Sequence, residues 1–323
     1  MSKPSRSRHQ TDAWRTNLEP ILESREVQRR EGQLIEGRSL LVRFVNLVKL
    51  PHTVFALPFA LLGVVYASWY APVSTRQLVL VIVAFTSARF AAMAFNRIID
   101  RKLDALNPRT RARELPARHL SVTQAVGSVV VSSVVFIGAA ALLNPLCLLL
   151  APFALLWILA YSFTKRVTSW SHLWLGASLA IAPAGGYVAV TGAWSDPWWT
   201  LLVIATAVIT WVGAFDMFYA LQDEHFDREH GLKSAVVLLG RARSILLAKS
   251  LHGMTILSLI AFGLWTAFGF VYLIGVGLGA AVLVWEHQLV RPNDLSRLDA
   301  AFFTMNGVVS IIVFTAAIGD RLL

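Results

Sequence analysis

Carboxylates are scarce in this sequence, and beyond the N-terminal tail they concentrate in two runs, Asn96–Asp104 and Asp216–Asp227. Residues four apart lie on one face of a helix, so Asn96, Asp100 and Asp104 form one polar stripe, and Asp223 and Asp227 form a second. Arg89 stands seven residues before Asn96, and Asp216 seven before Asp223, so each extends a stripe inward. One stripe alone serves as readily for an interhelical salt bridge as for a site. Two acidic stripes brought together repel, and something cationic must hold them. Hard oxygen ligands favour Mg²⁺, which commonly takes one or two carboxylates together with substrate phosphates. The Arg and Lys side chains nearby add phosphate donors. The chemistry is that of a Mg²⁺–diphosphate site, and at a membrane boundary the fitting substrate is a lipid diphosphate.

The elements that must position these residues are apolar. The chain is 56% hydrophobic and 15% charged, against roughly 25% charged in a soluble domain. Apolar blocks fall at about Thr53–Tyr70, Leu78–Ile99, Ser121–Leu143, Pro145–Phe163, Leu173–Val190, Trp198–Leu221, Ile245–Trp265, Phe268–Trp285 and Ala300–Ile318. Each approaches the roughly 20 residues that a membrane helix needs. The expected fold is an all-α membrane protein of about nine transmembrane helices around a central cavity. Residues 1–43 read as a polar, Arg-rich cytoplasmic tail with some helical character in Leu18–Arg30, and residues 44–323 as the membrane domain. Arg89 and Asp216 lie inside apolar blocks, where a charge is costly unless it faces a cavity or a partner. They are expected to face a shared interior.

The net charge of +10 does not point to nucleic acid. Lys and Arg gather in alternate connections, at Arg97–Arg118, Lys165-Arg166, Arg228–Lys249 and Arg291–Arg297. That is the positive-inside pattern. It puts both acidic runs and the N-terminus in the cytoplasm, with basic side chains suited to anionic lipid headgroups. Trp194, Trp198 and Trp199 then belong to an outer aromatic belt. The lone Cys147 sits in an apolar run and reads as a packing residue. His225 and His230 lack metal-ligand spacing and read as solvated. Gly185-Gly186, after Pro183, suits a kink or a close helix contact.

The motifs NRIIDRKLD (Asn96–Asp104), NPRTRARELPAR (Asn107–Arg118), YSFTKR (Tyr161–Arg166) and FDMFYALQDEHFDREHGLKS (Phe215–Ser234) resemble, in order and spacing, the UbiA superfamily of intramembrane prenyltransferases. The likeness runs from about Lys49 to the last span. Within the superfamily it is greatest to enzymes acting on 4-hydroxybenzoate and to related bacterial quinone-pathway enzymes. The resemblance implies two Mg²⁺ ions between the aspartate motifs, held by Asn96, Asp100, Asp104, Asp223 and Asp227 and bridging an allylic diphosphate. Lys165, Arg89 and Arg113 match positions expected to contact the diphosphate, and Lys49 is a weaker match. Two departures stand out. Arg97 occupies a position where many relatives carry a carboxylate, and Arg118 occupies one where many carry glycine.

The reaction implied is prenyl transfer from a polyprenyl diphosphate to an aromatic ring, in the bacterial inner membrane, with the site toward the cytoplasm. Electrostatic contacts stabilise charge on the leaving diphosphate, and apolar walls keep water from the allyl cation. Tyr161 and Tyr219 are candidates to face that cation with their rings, although packing is the commoner use of such residues. Asp216 suits acceptor positioning, a metal ligand's orientation or a pairing with Arg89. Other acceptors open to the same chemistry are a dihydroxynaphthoate, a tetrapyrrole or a glycerol phosphate. A cation-coupled transporter would also use carboxylates facing a cavity. The carboxylates cluster at one boundary, however, and no inverted repeat is apparent. A quinone-binding membrane subunit finds no histidine pair here to support haem.

Overall fold

The computed structural model describes residues 39–292, 295, 297–298 and 304–323, and every regular element among them is helical. Most of the expected tail, including Leu18–Arg30, lies outside the described residues. A short helix α1 (Leu40–Leu47) leads into α2 (Leu50–Ala67), α3 (Thr75–Leu106), α4 (Val122–Leu143), α5 (Pro145–Val167), α6 (Ser171–Thr191) and α7 (Thr200–Ala220). A 3₁₀ turn (Leu221–Asp223) and two short helices, α8 (Glu224–Glu229) and α9 (Ala235–Leu239), precede α10 (Arg241–Trp265), α11 (Phe270–Leu289) and α12 (Asn306–Leu322).

Local chemistry sets the boundaries. Ser74 and Gln77 cap the start of α3 reciprocally, and Ser121 and Gln124 do the same for α4, each pair satisfying backbone donors that a first turn leaves open. Asn144 ends α4 and caps α5, whose first residue is Pro145. A proline is tolerated there because its missing N–H would have had no helical partner. Each long helix packs on its predecessor in the chain, and α12 closes the ring on α2. Seven of the described helices are long and apolar enough to cross a membrane: α3, α4, α5, α6, α7 with its extension to Glu229, α10 and α11. The expected nine is not reached by that measure. The described apolar part of α2 is Ala56–Ala67, and α12 has 17 residues.

Across the ring, α2 and α6 meet backbone to backbone. A methyl group on Gly63 would strike the Pro183 carbonyl, and one on Gly186 the Ala60 carbonyl, whereas Gly185 has open space. The expected close contact is therefore made by Gly186. Gly63→Ala and Gly186→Ala are each expected to destabilise by about 1–3 kcal/mol through overpacking. Gly185→Ala is expected to leave the unfolding temperature unchanged or raised. Thermal unfolding in detergent measures all three, and equal curves would rule out a tight α2–α6 seam.

Candidate active site

α3 runs on as regular helix to Leu106, well past the expected end at Ile99. This keeps Asn96, Asp100 and Asp104 on one face. The loop that follows folds back onto that face, where Thr110 Oγ1 donates to the Asp104 carbonyl at 3.1 Å and Arg113 Nη1 to Asp104 Oδ1 at 2.7 Å. The second acidic run is not one continuous α-helix. α7 stops at Ala220, tightens through the 3₁₀ turn and resumes as α8. Asp223 and Asp227 nonetheless share a wall. A single cavity of about 230 Å³ is lined by all twelve residues singled out from the sequence: Lys49, Arg89, Asn96, Asp100, Asp104, Arg113, Tyr161, Lys165, Asp216, Tyr219, Asp223 and Asp227.

Each carboxylate in this cavity meets a partner of opposite or complementary charge. Asp100 accepts from Asn96 Nδ2 at 2.9 Å and from Arg166 Nη2 at 2.7 Å. Asp223 is gripped by Arg109 through Nε at 2.9 Å and Nη2 at 2.5 Å, and accepts from Asn107 Nδ2 at 3.1 Å. Lys165 Nζ lies 3.6 Å from Asp227 Oδ2. Among the described residues no three Asp, Glu, His or Cys side chains converge on one point. The carboxylates repel each other and take cationic neighbours instead. Asp104 Oδ2 is buried without a hydrogen-bond partner, and Asp227 Oδ2 is buried with only the 3.6 Å contact to Lys165. Unsatisfied hard acceptors of this kind suit a divalent cation, so the donor set fits the ion inferred from the sequence.

Several cavity residues were not singled out from the sequence. Arg109 is the most involved. Besides gripping Asp223, it donates to the Tyr219 hydroxyl at 2.6 Å, and its guanidinium lies 4.8 Å from the Tyr219 ring centroid. The Tyr219 ring face considered for an allyl cation is therefore covered by a guanidinium. Its motif, Asn107–Arg118, was visible, but nothing in the spacing says which arginine reaches across 114 residues to Asp223. Arg97, one of the two departures noted in the sequence, is 4% exposed and donates to the Leu47 carbonyl at 3.3 Å, tying α3 to α1. Arg118 adopts the left-handed φ of 57° that glycine would take there, so the loop keeps its path at some steric cost.

His172, on α6, pairs with Asp216 at 2.7 Å between Nδ1 and Oδ2. Arg89, the partner considered for Asp216, lines the same cavity. No sequence pattern announced this histidine. Nor did any announce His252 and His287, which α10 and α11 bring to 3.0 Å of each other. His225 and His230 are exposed, as expected.

A second cavity of about 470 Å³ adjoins the first. Its walls are apolar, with Phe85, Phe136, Leu150, Phe153 and Ile158 among them, and it reaches Trp194 at the far end of the bundle. Cys147 lies in this wall. Arg89, Met93, Asn96, Tyr161, Leu175 and Leu179 border both cavities. The charged cavity and the dry one are thus neighbours, with these six residues as common lining.

Residues 56–308 match the sequence model of the UbiA prenyltransferase family. The 4-hydroxybenzoate octaprenyltransferase of Pseudomonas aeruginosa is 27% identical over 86% of this chain and 93% of its own length. That of Alkalilimnicola ehrlichii is 29% identical over 73% and 80%. Among solved structures, the apo structure of a UbiA homologue from Aeropyrum pernix K1 matches with a TM-score of 0.77 and 32% identity, covering 84% of this chain and 98% of that one. A UbiA homologue from Archaeoglobus fulgidus, bound to DMAPP and Mg²⁺, shares the fold with a TM-score of 0.64 at 17% identity, covering 87% and 99%.

Proposed function

The chain belongs to the UbiA prenyltransferase family, an integral membrane enzyme, and on that premise we propose that it transfers a polyprenyl group from a polyprenyl diphosphate to 4-hydroxybenzoate or a closely similar aromatic quinone precursor. The observation that carries the reading is that a charged cavity and an apolar one adjoin, with six lining residues in common. A lipid diphosphate has the matching shape: an anionic head and a long hydrocarbon tail. The acceptor is inferred from the names of the relatives that span most of this chain.

Mg²⁺, as two ions, would be held by Asp100, Asp104, Asp223 and Asp227 with Asn96. When bound, it supplies a Lewis acid and a template for the diphosphate oxygens. Lys165, Arg89 and Arg113 add fixed positive charge where negative charge builds as the allylic C–O bond breaks. Lys49 lines the same cavity and adds to that potential. Tyr161 borders both cavities, so its ring stands where the tail joins the head. The apolar walls exclude water, which would otherwise capture the allyl cation. The Lys/Arg asymmetry supports a site facing the cytoplasm of a bacterial inner membrane.

The test gives the purified chain labelled geranyl diphosphate and a panel of acceptors: 4-hydroxybenzoate, a dihydroxynaphthoate, a tetrapyrrole and a glycerol phosphate. Products are identified by mass. A prenylated 4-hydroxybenzoate is expected, and transfer only to another member of the panel would overturn the acceptor assignment. EDTA is expected to abolish transfer and Mg²⁺ to restore it. Full activity after thorough chelation would refute the metal assignment.

A further inference from the structure

Five carboxylates line the charged cavity, and four of them face permanent cations: Asp100 faces Arg166, Asp104 faces Arg113, Asp223 faces Arg109 and Asp227 faces Lys165. The fifth, Asp216, makes its short contact with His172 instead, with Lys165 near enough to feel its charge. A carboxylate held by a guanidinium must break an ion pair to accept a proton. Asp216 does not. His172 is fully buried, and its Nε2 has no hydrogen-bond partner. With Asp216 as the carboxylate, Nδ1 carries the hydrogen, because two bare acceptors would not approach to 2.7 Å. Nδ1–H then donates to Asp216 Oδ2.

Position adds to this. Asp216 stands seven residues before Asp223, about 10 Å deeper along the helix. Around it the charged cavity turns apolar, with Trp211, Val212, Phe215, Leu175 and Leu179 in its walls. An aromatic ring fits such walls, and the allylic carbon must lie close by, where head and tail cavities meet. The geometry points to Asp216 as the group that takes the proton released by the acceptor ring, with His172 positioning it from behind. The inference rests on the prenyl-transfer reading above.

The step balances as follows. A ring π pair forms the new C–C bond to the allylic carbon, whose bond to oxygen has left its pair on the diphosphate. The ring carbon's C–H pair then restores aromaticity, and the proton passes to Asp216 Oδ1. It leaves with the diphosphate, which returns Asp216 to the carboxylate. Asp216 is the catalytic residue of this step. His172 is a positioning residue, since it reaches the substrate only through Asp216.

The test uses the full purified chain, geranyl diphosphate, and 4-hydroxybenzoate either protonated or deuterated on the ring. In the unsubstituted protein C–O ionisation is expected to limit the rate, which would hold the deuterium effect on kcat near unity. Asp216→Asn should lower kcat by roughly 10²–10⁴-fold, the usual scale of a general base, with KM for geranyl diphosphate unchanged. A deuterium effect clearly above unity should then emerge, because proton removal has become the slow step. His172→Asn retains an N–H near the Nδ1 position and should keep most activity, whereas His172→Phe should behave like a weaker Asp216→Asn. Should the Phe variant not fold, the isotope effect in Asp216→Asn decides by itself. A slow Asp216→Asn whose isotope effect stays at unity, or one with normal kcat, would overturn the proton assignment alone. Failure of the unsubstituted chain to prenylate 4-hydroxybenzoate would overturn the acceptor reading and this inference with it.

Discussion

Asp100→Asn and Asp227→Asn are each expected to lower kcat by 10²–10³-fold, about 3–4 kcal/mol of transition-state stabilisation, while the folded protein persists. The substitution preserves size and most hydrogen bonding but removes the charge. Asp100 lies on α3 and Asp227 on α8, on facing walls of one cavity, and Asp227 Oδ2 is buried with no hydrogen-bond partner of its own. If these residues only tied helices together, loss of activity would track loss of folded protein. If they hold a cation against a diphosphate, activity falls with the unfolding curve unmoved. Initial rates at saturating Mg²⁺, with a thermal melt for each variant, separate the two. Glu229→Gln is the control, since that side chain is 65% exposed beside His225 and lines no part of the cavity. Near-normal rates in both aspartate variants would defeat the proposed mechanism, whatever the family.

Arg109→Leu carries the largest expected effect on stability. Arg109 and Asp223 are 10% and 8% exposed, and the guanidinium spans both carboxylate oxygens while also bonding Tyr219. Removing one partner of a buried pair strands the other, at a cost of about 3–5 kcal/mol. The unfolding temperature should fall, and activity with it. Arg109→Lys should fall between, because an ammonium group cannot reproduce the planar fork. Adding Asp223→Asn to Arg109→Leu should recover much of the stability without the activity, since the stranded charge is gone and the cavity has lost a carboxylate. A double-mutant cycle reads the coupling directly. Strictly additive losses would show that the pair is not energetically linked.

Much of the site was legible because helical periodicity is local. Asn96, Asp100 and Asp104 are four apart, and any helix puts them on one face; Tyr161 and Lys165 obey the same rule. The cost of an ionisable group in an apolar span made Arg89 and Asp216 face the interior before any neighbour was known. Asn144-Pro145 stops one helix and starts the next by its own chemistry.

The partners were a different matter. Arg109 meets Asp223, His172 meets Asp216, and His252 meets His287 across 114, 44 and 35 residues. No periodicity links such positions, because the packing of separate helices decides them. The count of membrane crossings depends in the same way on where helices end, as the unbroken run of α3 to Leu106 and the tightened turn after Ala220 demonstrate. By itself the sequence determined which faces turn the acidic stripes, Arg89 and Asp216 inward, since face and hydropathy are properties of one helix at a time. Only the tertiary structure decided which charge neutralises which, and which carboxylate was left with a histidine, because electrostatic pairing is settled by distances between helices that no single helix contains.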